Sequence, residues 1–216
     1  PKAIAVAAQN IGATVLHIST DYVFNGQNHT PYKERDPTDP LGVYGKSKLL
    51  GEIGVRENCD RHLILRTAWV YGSRGHGNFV KTMLRLGSER TELKVVTDQI
   101  GSPSWSYDIA IAITQLLPKS WADENINGIY HFTNSGVASW YDLALATFNE
   151  AKQLGFPVKV EQVIPITTAE FPTPTQRPAY SVLAKTKITE TLGNYPPYWR
   201  DSLRKMLSEW KSISNY

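Results

Sequence analysis

The chain has 216 residues, of which 41% are hydrophobic and 20% are charged, so it can bury one sizeable core or two smaller ones. Its formal net charge of +3 comes without a block of lysines and arginines, which argues against a nucleic-acid-binding protein. A single cysteine excludes an internal disulfide framework, and the lack of a signal peptide or an apolar run of membrane length predicts a cytoplasmic protein without membrane partners.

Helices and strands are predicted to alternate along the N-terminal half. Apolar residues at helical spacing predict a helix over residues 1–10, which Gly12 ends. A near-continuous apolar run predicts a buried strand of a parallel sheet over residues 14–18, and a helix opens near Tyr44. Further along, we predict a second helix over 62–66, a loop over 69–72 and strands over 93–96 and 129–132. Helices are predicted over 78–86, 108–117, 141–154 and 203–213, and a Pro- and Thr-rich surface segment over 158–178.

These patterns indicate the α/β class, with a partial doubly wound, Rossmann-like parallel sheet and a smaller C-terminal lobe. A doubly wound nucleotide-binding domain normally opens with a strand and a glycine-rich turn. No such turn stands near the start, and Gly72, Gly75 and Gly77 come too late to form it. The pattern therefore leaves two options, a different fold or a domain whose first half is absent.

The run from Ser19 to Lys48 contains the candidate chemistry. Tyr44 and Lys48 are four residues apart, hence on one face of the predicted helix, where a lysine ammonium favours the phenolate. A hydroxyl from Ser19 or Thr20, at the end of the neighbouring strand, could hold a carbonyl oxygen against the phenol. Those groups suit protonation of a carbonyl oxygen while hydride arrives at its carbon. A Tyr-x-x-x-Lys pair alone also fits an amphipathic helix with a solvated lysine, and its position after a strand end favours the chemical interpretation.

Six stretches resemble one enzyme family in order and spacing. They are STDYVF at 19–24, VYGKSKL at 43–49, LRTAWVY at 65–71, NFVKTML at 78–84, DQIGSP at 98–103 and RPAYS at 177–181. Through them the chain resembles the dTDP-4-dehydrorhamnose reductase family of the extended short-chain dehydrogenase/reductase superfamily. The resemblance implies reduction of a 4-keto sugar attached to dTDP, giving dTDP-L-rhamnose, with NADPH or NADH as hydride donor. The sequence leaves the choice between the two cofactors open.

The resemblance also implies roles for individual residues. Tyr44 resembles the proton donor, Lys48 resembles its partner that also holds the nicotinamide ribose, and Thr20 resembles the hydroxyl that steadies the carbonyl. The implied catalytic residues are Tyr44, Lys48 and Thr20, the cofactor-binding residues are Tyr44, Lys48 and Thr67, and the substrate-binding residues are Thr20, Asp21, Trp69, Asn78, Gln99 and Arg177. No metal is predicted, because the five histidines form no ligand-spaced cluster.

Four of the substrate-binding residues also have structural explanations. Trp69 could be an aromatic residue between two lobes, and Arg177 could fix the Pro-rich loop. Asp21 could cap the strand end, and Asn78 could cap the following helix, where asparagine is favoured.

The family's glycine motif has no counterpart in this chain, so the resemblance implies that about 80 residues, one βαβαβ half, precede the matching part. We expect residues 1–77 to form the second half of a dinucleotide-binding domain, to which a strand near 129–132 could return. Residues 78–216 are expected to form mainly a substrate-binding lobe, and a homodimer is a candidate assembly. We expect residues 1–216 alone to be inactive and poorly soluble, because the strand over 14–18 would keep unpaired backbone groups along one edge.

Two other functions compete with the reductase. Nucleotide-sugar dehydratases and epimerases of the same superfamily resemble the chain, but the dehydratases have Thr-Asp-Glu at the strand end, and Tyr22 stands at the Glu position here. Elimination needs a carboxyl acid or base, so Tyr22 argues against dehydration. A non-catalytic, reductase-like regulatory subunit of methionine adenosyltransferase also keeps much of the pattern, and the presence of Thr20, Tyr44 and Lys48 favours the enzyme.

Overall fold

The structure, a computed structural model, describes residues 1–75 and 77–213 and has the α/β architecture that the sequence predicts. The helices are α1 (Lys2–Asn10), α2 (Val43–Arg56), α3 (Phe79–Glu89), α4 (Ser106–Ala122), α5 (Trp140–Gln153), α6 (Thr186–Leu192) and α7 (Trp199–Ile213). The strands are β1 (Val15–Thr20), β2 (His62–Thr67), β3 (Val70–Tyr71), β4 (Glu92–Val96), β5 (Ile100–Gly101), β6 (Ser104–Trp105), β7 (Gly128–His131), β8 (Ala138–Ser139) and β9 (Gln162–Ile166). Within the described parts of the chain, each helix is too short or too polar to cross a bilayer.

The main sheet is parallel, with strand order β1-β2-β7. Residues of α1 and α2 pack with Ile64 on one face, whereas α4 and α6 pack with Leu63 and Leu65 on the other. Because helices cover both faces of the sheet, its strands are almost continuously apolar. Since β1 and β2 are in parallel register, with Thr20 opposite Thr67, their carboxyl ends lie side by side, where open α/β sheets bind ligands.

A second layer is built on β4 and β9, which pair in parallel and are packed by α3 and α5. A capping box starts α5: the Ser139 hydroxyl accepts from the Asp142 amide, and the Asp142 carboxylate accepts from the Ser139 amide. Its buried residue Glu150 receives hydrogen bonds from Arg200 and Arg204 of α7, which fixes α7 against α5.

Most predicted elements are confirmed to within a few residues, and three predictions are wrong. Residues 62–66, predicted as a helix, belong to β2, whose apolar residues are buried because helices pack on both faces of the sheet. Residues 69–72, predicted as a loop, contain β3, which pairs in parallel with β6. Residues 158–178, predicted to wind over the surface, contain β9 with Pro165 inside it. Proline normally argues against a strand because it lacks an N–H donor, but β9 pairs only with β4 among the described residues, so one edge needs no donor. The short helix α6 escaped prediction.

Candidate active site

The first two turns of α2 place Tyr44 and Lys48 beside the end of β1. Lys48 Nζ donates a hydrogen bond to the carbonyl oxygen of Ile18. Tyr44 is 53% exposed, and the Tyr22 ring meets it edge-on with centroids 5.8 Å apart. Gly45 permits this approach, because a Cβ there would lie 2.2 Å from the carbonyl oxygen of Tyr22. The helix thus holds an accessible phenol and an ammonium group over the end of the strand.

Thr20 and Asp21 form a buried hydroxyl–carboxyl pair where β1 ends. The Thr20 hydroxyl donates to Asp21 Oδ1 at 3.0 Å and accepts from the Tyr22 amide at 3.2 Å, which caps the 3₁₀ turn Asp21–Val23. Burial raises the pKa of Asp21 to about 6, against the opposing effect of the Ser181 and Thr20 hydroxyls. Asp21 Oδ2 has no hydrogen bond of normal geometry within the described residues. The Thr20 hydroxyl must therefore turn away from Asp21 to reach a substrate carbonyl.

Thr67 lies next to Thr20 across the sheet and is also buried. Its Oγ1 has no hydrogen-bond partner among residues 1–75 and 77–213. A buried hydroxyl without a partner calls for an explanation, and a ligand that bonds to it is one. The end of the sheet thus holds two buried hydroxyls side by side, Thr20 and Thr67.

Two tryptophans, Trp69 just after β2 and Trp140 at the start of α5, stack on each other. Trp69 adopts φ +49°, in the left-handed region that bulky residues rarely occupy. Its ring stacks on Trp140 at 3.6 Å with an interplanar angle of 2°. Gly101 makes room for it, because a Cβ there would lie 2.5 Å from Trp69 Cε2. Trp140 Nε1 in turn donates to Gln99 Oε1 at 3.1 Å, so packing and hydrogen bonding hold the strained residue in place.

A cavity of about 630 Å³ opens between α3, β4 and the segment after β9. Its apolar lining residues include Phe79, Met83, Leu93, Val95, Trp140 and Phe171. Arg90, Lys94 and Arg177 add positive charge to the same lining. Glu92 is the acidic residue of this lining, so the pocket is mainly apolar with a net positive charge, which suits a planar base attached to a diphosphate.

Arg177 lines the cavity on the segment after β9. It is exposed and makes no hydrogen bond or ion pair within the described residues. Burial and the Asp21 carboxylate raise the pKa of Tyr22, and the positive charge of Arg177 opposes them, so the guanidinium acts electrostatically on Tyr22. An exposed guanidinium without a hydrogen bond or ion pair within the described residues is available to a phosphate.

The structure brings most of the predicted site residues together. Those at the sheet edge are Thr20, Asp21, Tyr44, Lys48 and Thr67, and those lining the cavity are Gln99 and Arg177. Asn78 is engaged elsewhere: its Oδ1 accepts from the Lys81 amide as the cap of α3, and its Nδ2 donates to the carbonyl oxygen of Gly72. Sequence reasoning missed Trp140, which starts α5 and whose partner Trp69 is 71 positions away in the sequence. Among the described residues, no three His, Cys, Asp or Glu side chains are placed to hold a metal.

Comparisons with known proteins identify the family of the chain. The family described as RmlD substrate binding domain matches residues 1–212. The dTDP-4-dehydrorhamnose reductase of Escherichia coli K12 is 41% identical over 208 residues, which cover 96% of this chain and 69% of the relative. The spore coat polysaccharide biosynthesis protein SpsK of Bacillus subtilis is 46% identical over the same shares. The crystal structure of dTDP-4-dehydrorhamnose reductase from Bacillus anthracis in complex with NADP is 39% identical, with a TM-score of 0.87 over 96% of this chain and 70% of that one.

Proposed function

The chain belongs to the dTDP-4-dehydrorhamnose reductase family, and from this premise we propose that it reduces dTDP-4-dehydro-6-deoxy-L-mannose to dTDP-L-rhamnose with NADPH or NADH. The observation that supports this most strongly is the placement of Tyr44 and Lys48 on α2 beside Thr20 and Thr67 at the strand ends. A reductase needs an acid at the keto oxygen and a place for the cofactor, and this edge of the sheet offers both.

The cavity is the proposed site for the dTDP part of the substrate. Its apolar walls can hold the thymine ring, and its basic residues can meet the two phosphates. Arg177, which is exposed and has no hydrogen bond or ion pair within the described residues, is the proposed contact to the diphosphate. The stacked Trp69 and Trp140 then form an aromatic wall beside the sugar.

The nicotinamide cofactor, when bound, supplies the hydride for the sugar carbon. Tyr44 donates its phenolic proton to the keto oxygen, and Lys48, one turn further along α2, would hold the nicotinamide ribose. The Thr20 hydroxyl, turned away from Asp21, donates a second hydrogen bond to the same oxygen and stabilises its developing charge. Asp21, partly protonated near neutral pH, can exchange hydrogen bonds with a sugar hydroxyl.

The assay for this function gives the full-length protein dTDP-4-dehydro-6-deoxy-L-mannose and either cofactor. We expect oxidation of the cofactor in step with formation of dTDP-L-rhamnose, followed by absorbance and by nuclear magnetic resonance of the product. Incubation with dTDP-glucose and NAD is the control, and we expect no dehydrated product because Tyr22 replaces a carboxyl group there. A protein that binds dTDP but oxidises no cofactor would instead support a non-catalytic subunit.

Three further proposals concern assembly and organisation. A homodimer, a cytoplasmic location and the division into residues 1–77 and 78–216 all remain predictions from the sequence. Light scattering at two protein concentrations tests the dimer, and limited proteolysis with mapping of the cut sites tests the division.

A further inference from the structure

A third residue shares the face of α2 that presents Tyr44 and Lys48. Glu52 lies one turn beyond Lys48, at the same four-residue spacing, and is fully buried against the sheet. A carboxylate is costly to bury unless it is paired and hydrogen-bonded, so its contacts identify what the helix is attached to.

Glu52 receives three hydrogen bonds from the ends of the two neighbouring strands. Ser19 Oγ donates to Oε1 at 2.5 Å. Arg66 donates twice, from Nε to Oε1 at 2.9 Å and from Nη2 to Oε2 at 2.7 Å. Ser19 and Arg66 are 3% and 2% exposed, so water does not weaken these contacts.

Ser19 and Arg66, the two donors to Glu52, lie side by side near the carboxyl ends of β1 and β2. Ser19 and Arg66 are register partners, and each directly precedes a site hydroxyl, Thr20 in β1 and Thr67 in β2. Glu52 therefore joins the catalytic helix to both strands one residue before the groups that face the reaction. A second contact from the same face, Lys48 Nζ to the carbonyl oxygen of Ile18, joins the helix to β1 one residue earlier.

Arg66 extends the connection to the loop that leads into α2. Its Nη1 reaches the carbonyl oxygen of Glu34 at 3.4 Å and His131 Nε2 at 3.5 Å. Burial, followed by the charge of Arg66, lowers the pKa of His131 to about 3, so the imidazole is neutral. Its Nδ1 must donate to the carbonyl oxygen of Tyr32 at 3.1 Å, which leaves Nε2 to accept from Arg66.

We propose that Glu52, acting through Ser19 and Arg66, is a positioning residue that sets the spacing between the Thr20 hydroxyl and the Tyr44–Lys48 pair. The inference rests on the proposed function, because it assigns a role in that reaction. A misplacement of about 1 Å at a reacting group can lower a rate by as much as 10²-fold. Neither Glu52 nor its partners Ser19 and Arg66 line the 630 Å³ cavity, so the effect falls on catalysis and leaves binding of dTDP unchanged.

The test is Ser19→Ala in the full-length protein, with Ser202→Ala as matched control. Ser202 is also buried, and its hydroxyl donates to the Asp108 carboxylate at the same 2.5 Å, but it lies on α7 away from the sheet edge. We expect both variants to lower the unfolding temperature by similar amounts and to bind dTDP within about twofold of wild type. Only Ser19→Ala should reduce kcat, by about 10-fold or more, with KM for the nucleotide sugar nearly unchanged.

A graded variant guards against a general loss of structure. Ser19→Cys keeps a side chain of similar size with a weak donor, so its kcat should fall between those of the wild type and Ser19→Ala. Equal kcat for Ser19→Ala and Ser202→Ala, or a parallel loss of dTDP binding and kcat in Ser19→Ala, would overturn the positioning role while leaving the proposed function intact. Absence of turnover in the wild type would overturn the proposed function and this role with it.

Discussion

Replacement of Asp21 by asparagine should stabilise the protein above pH 6 and not below pH 4. The carboxyl is 2% exposed, and burial raises its pKa from the ordinary 3.8 to about 6. A raised carboxyl pKa means that the folded state binds more protons than the unfolded state between those two values, so stability falls as pH rises across that interval. At about 1.4 kcal/mol for each pH unit, the full cost of ionising Asp21 in the folded state is about 3 kcal/mol.

Asparagine is nearly isosteric with aspartate and cannot ionise, so it removes this cost. We expect the free energy of unfolding of Asp21→Asn, relative to wild type, to increase by about 2.4 kcal/mol between pH 4 and pH 8, because the unfolded carboxyl is already partly ionised at pH 4. The measurement is urea denaturation of both proteins at pH 4, 5, 6, 7 and 8. Any effect of the amide itself is present at every pH and cancels in the difference between the two ends of the range.

Asp98→Asn is the control, because its pH dependence has the opposite sign. The slight burial of Asp98 is outweighed by hydrogen bonds from Thr168, which hold the pKa below its ordinary value. Asp98 therefore adds stability above pH 3.8 that is lost as pH falls, and its replacement should not stabilise the protein at pH 8. If the stability difference between Asp21→Asn and wild type is the same at pH 4 and pH 8, the pKa of Asp21 is not raised by burial and the reasoning is wrong.

The other predictions concern three separate contacts. Arg177→Ala should weaken binding of dTDP about 10-fold, measured by calorimetry, because the variant lacks the guanidinium that contacts the phosphate. An unchanged Kd would instead mean that Arg177 only fixes the loop. Gly101→Ala should lower the free energy of unfolding by about 1–3 kcal/mol, since its methyl group would lie 2.5 Å from the Trp69 ring. A variant that unfolds at the same temperature as wild type would contradict this close contact. His131 stays neutral in the folded state, with a pKa of about 3 against 6.5 when unfolded, so stability should fall as pH drops below 6.5; His131→Asn should flatten that dependence in urea titrations at pH 5 and pH 7.

The sequence predicted the parts of the site that local periodicity determines. Tyr44 and Lys48 share a face of α2 because a helix repeats every 3.6 residues, and that spacing is visible in the sequence. Thr20 was expected at the edge of the sheet because it follows an apolar run, and it ends β1. The predicted sugar-pocket residue Trp69 could be named from its motif, but its left-handed backbone and its stack on Trp140 could not.

Contacts between distant residues were beyond the sequence pattern. In the sequence, Glu52 looks like an ordinary charged, exposed helix residue. Its burial follows only from the pairing of β1 with β2, which brings the ends of both strands against it. The strand β9 was hidden because Pro165 and the surrounding polar residues are typical of a surface segment, and its pairing with β4 spans 70 positions of sequence. Asn78 shows the opposite outcome, since helix capping, which its position in the sequence already suggested, accounts for its Oδ1.

The proton-donor role of Tyr44 is open to a direct test by Tyr44→Phe in the full-length protein. Tyr107→Phe is the matched control, because Tyr107 is 56% exposed, close to the 53% of Tyr44, and lies on α4. Loss of a general acid typically lowers a rate by about 10²–10⁴-fold, so Tyr44→Phe should reduce kcat with dTDP-4-dehydro-6-deoxy-L-mannose by that factor while the Kd for dTDP stays within about twofold. Tyr107→Phe should keep the wild-type kcat. A Tyr44→Phe enzyme that turns over within about threefold of wild type would contradict the assignment of Tyr44 as the acid, and with it the proposed chemistry of this site.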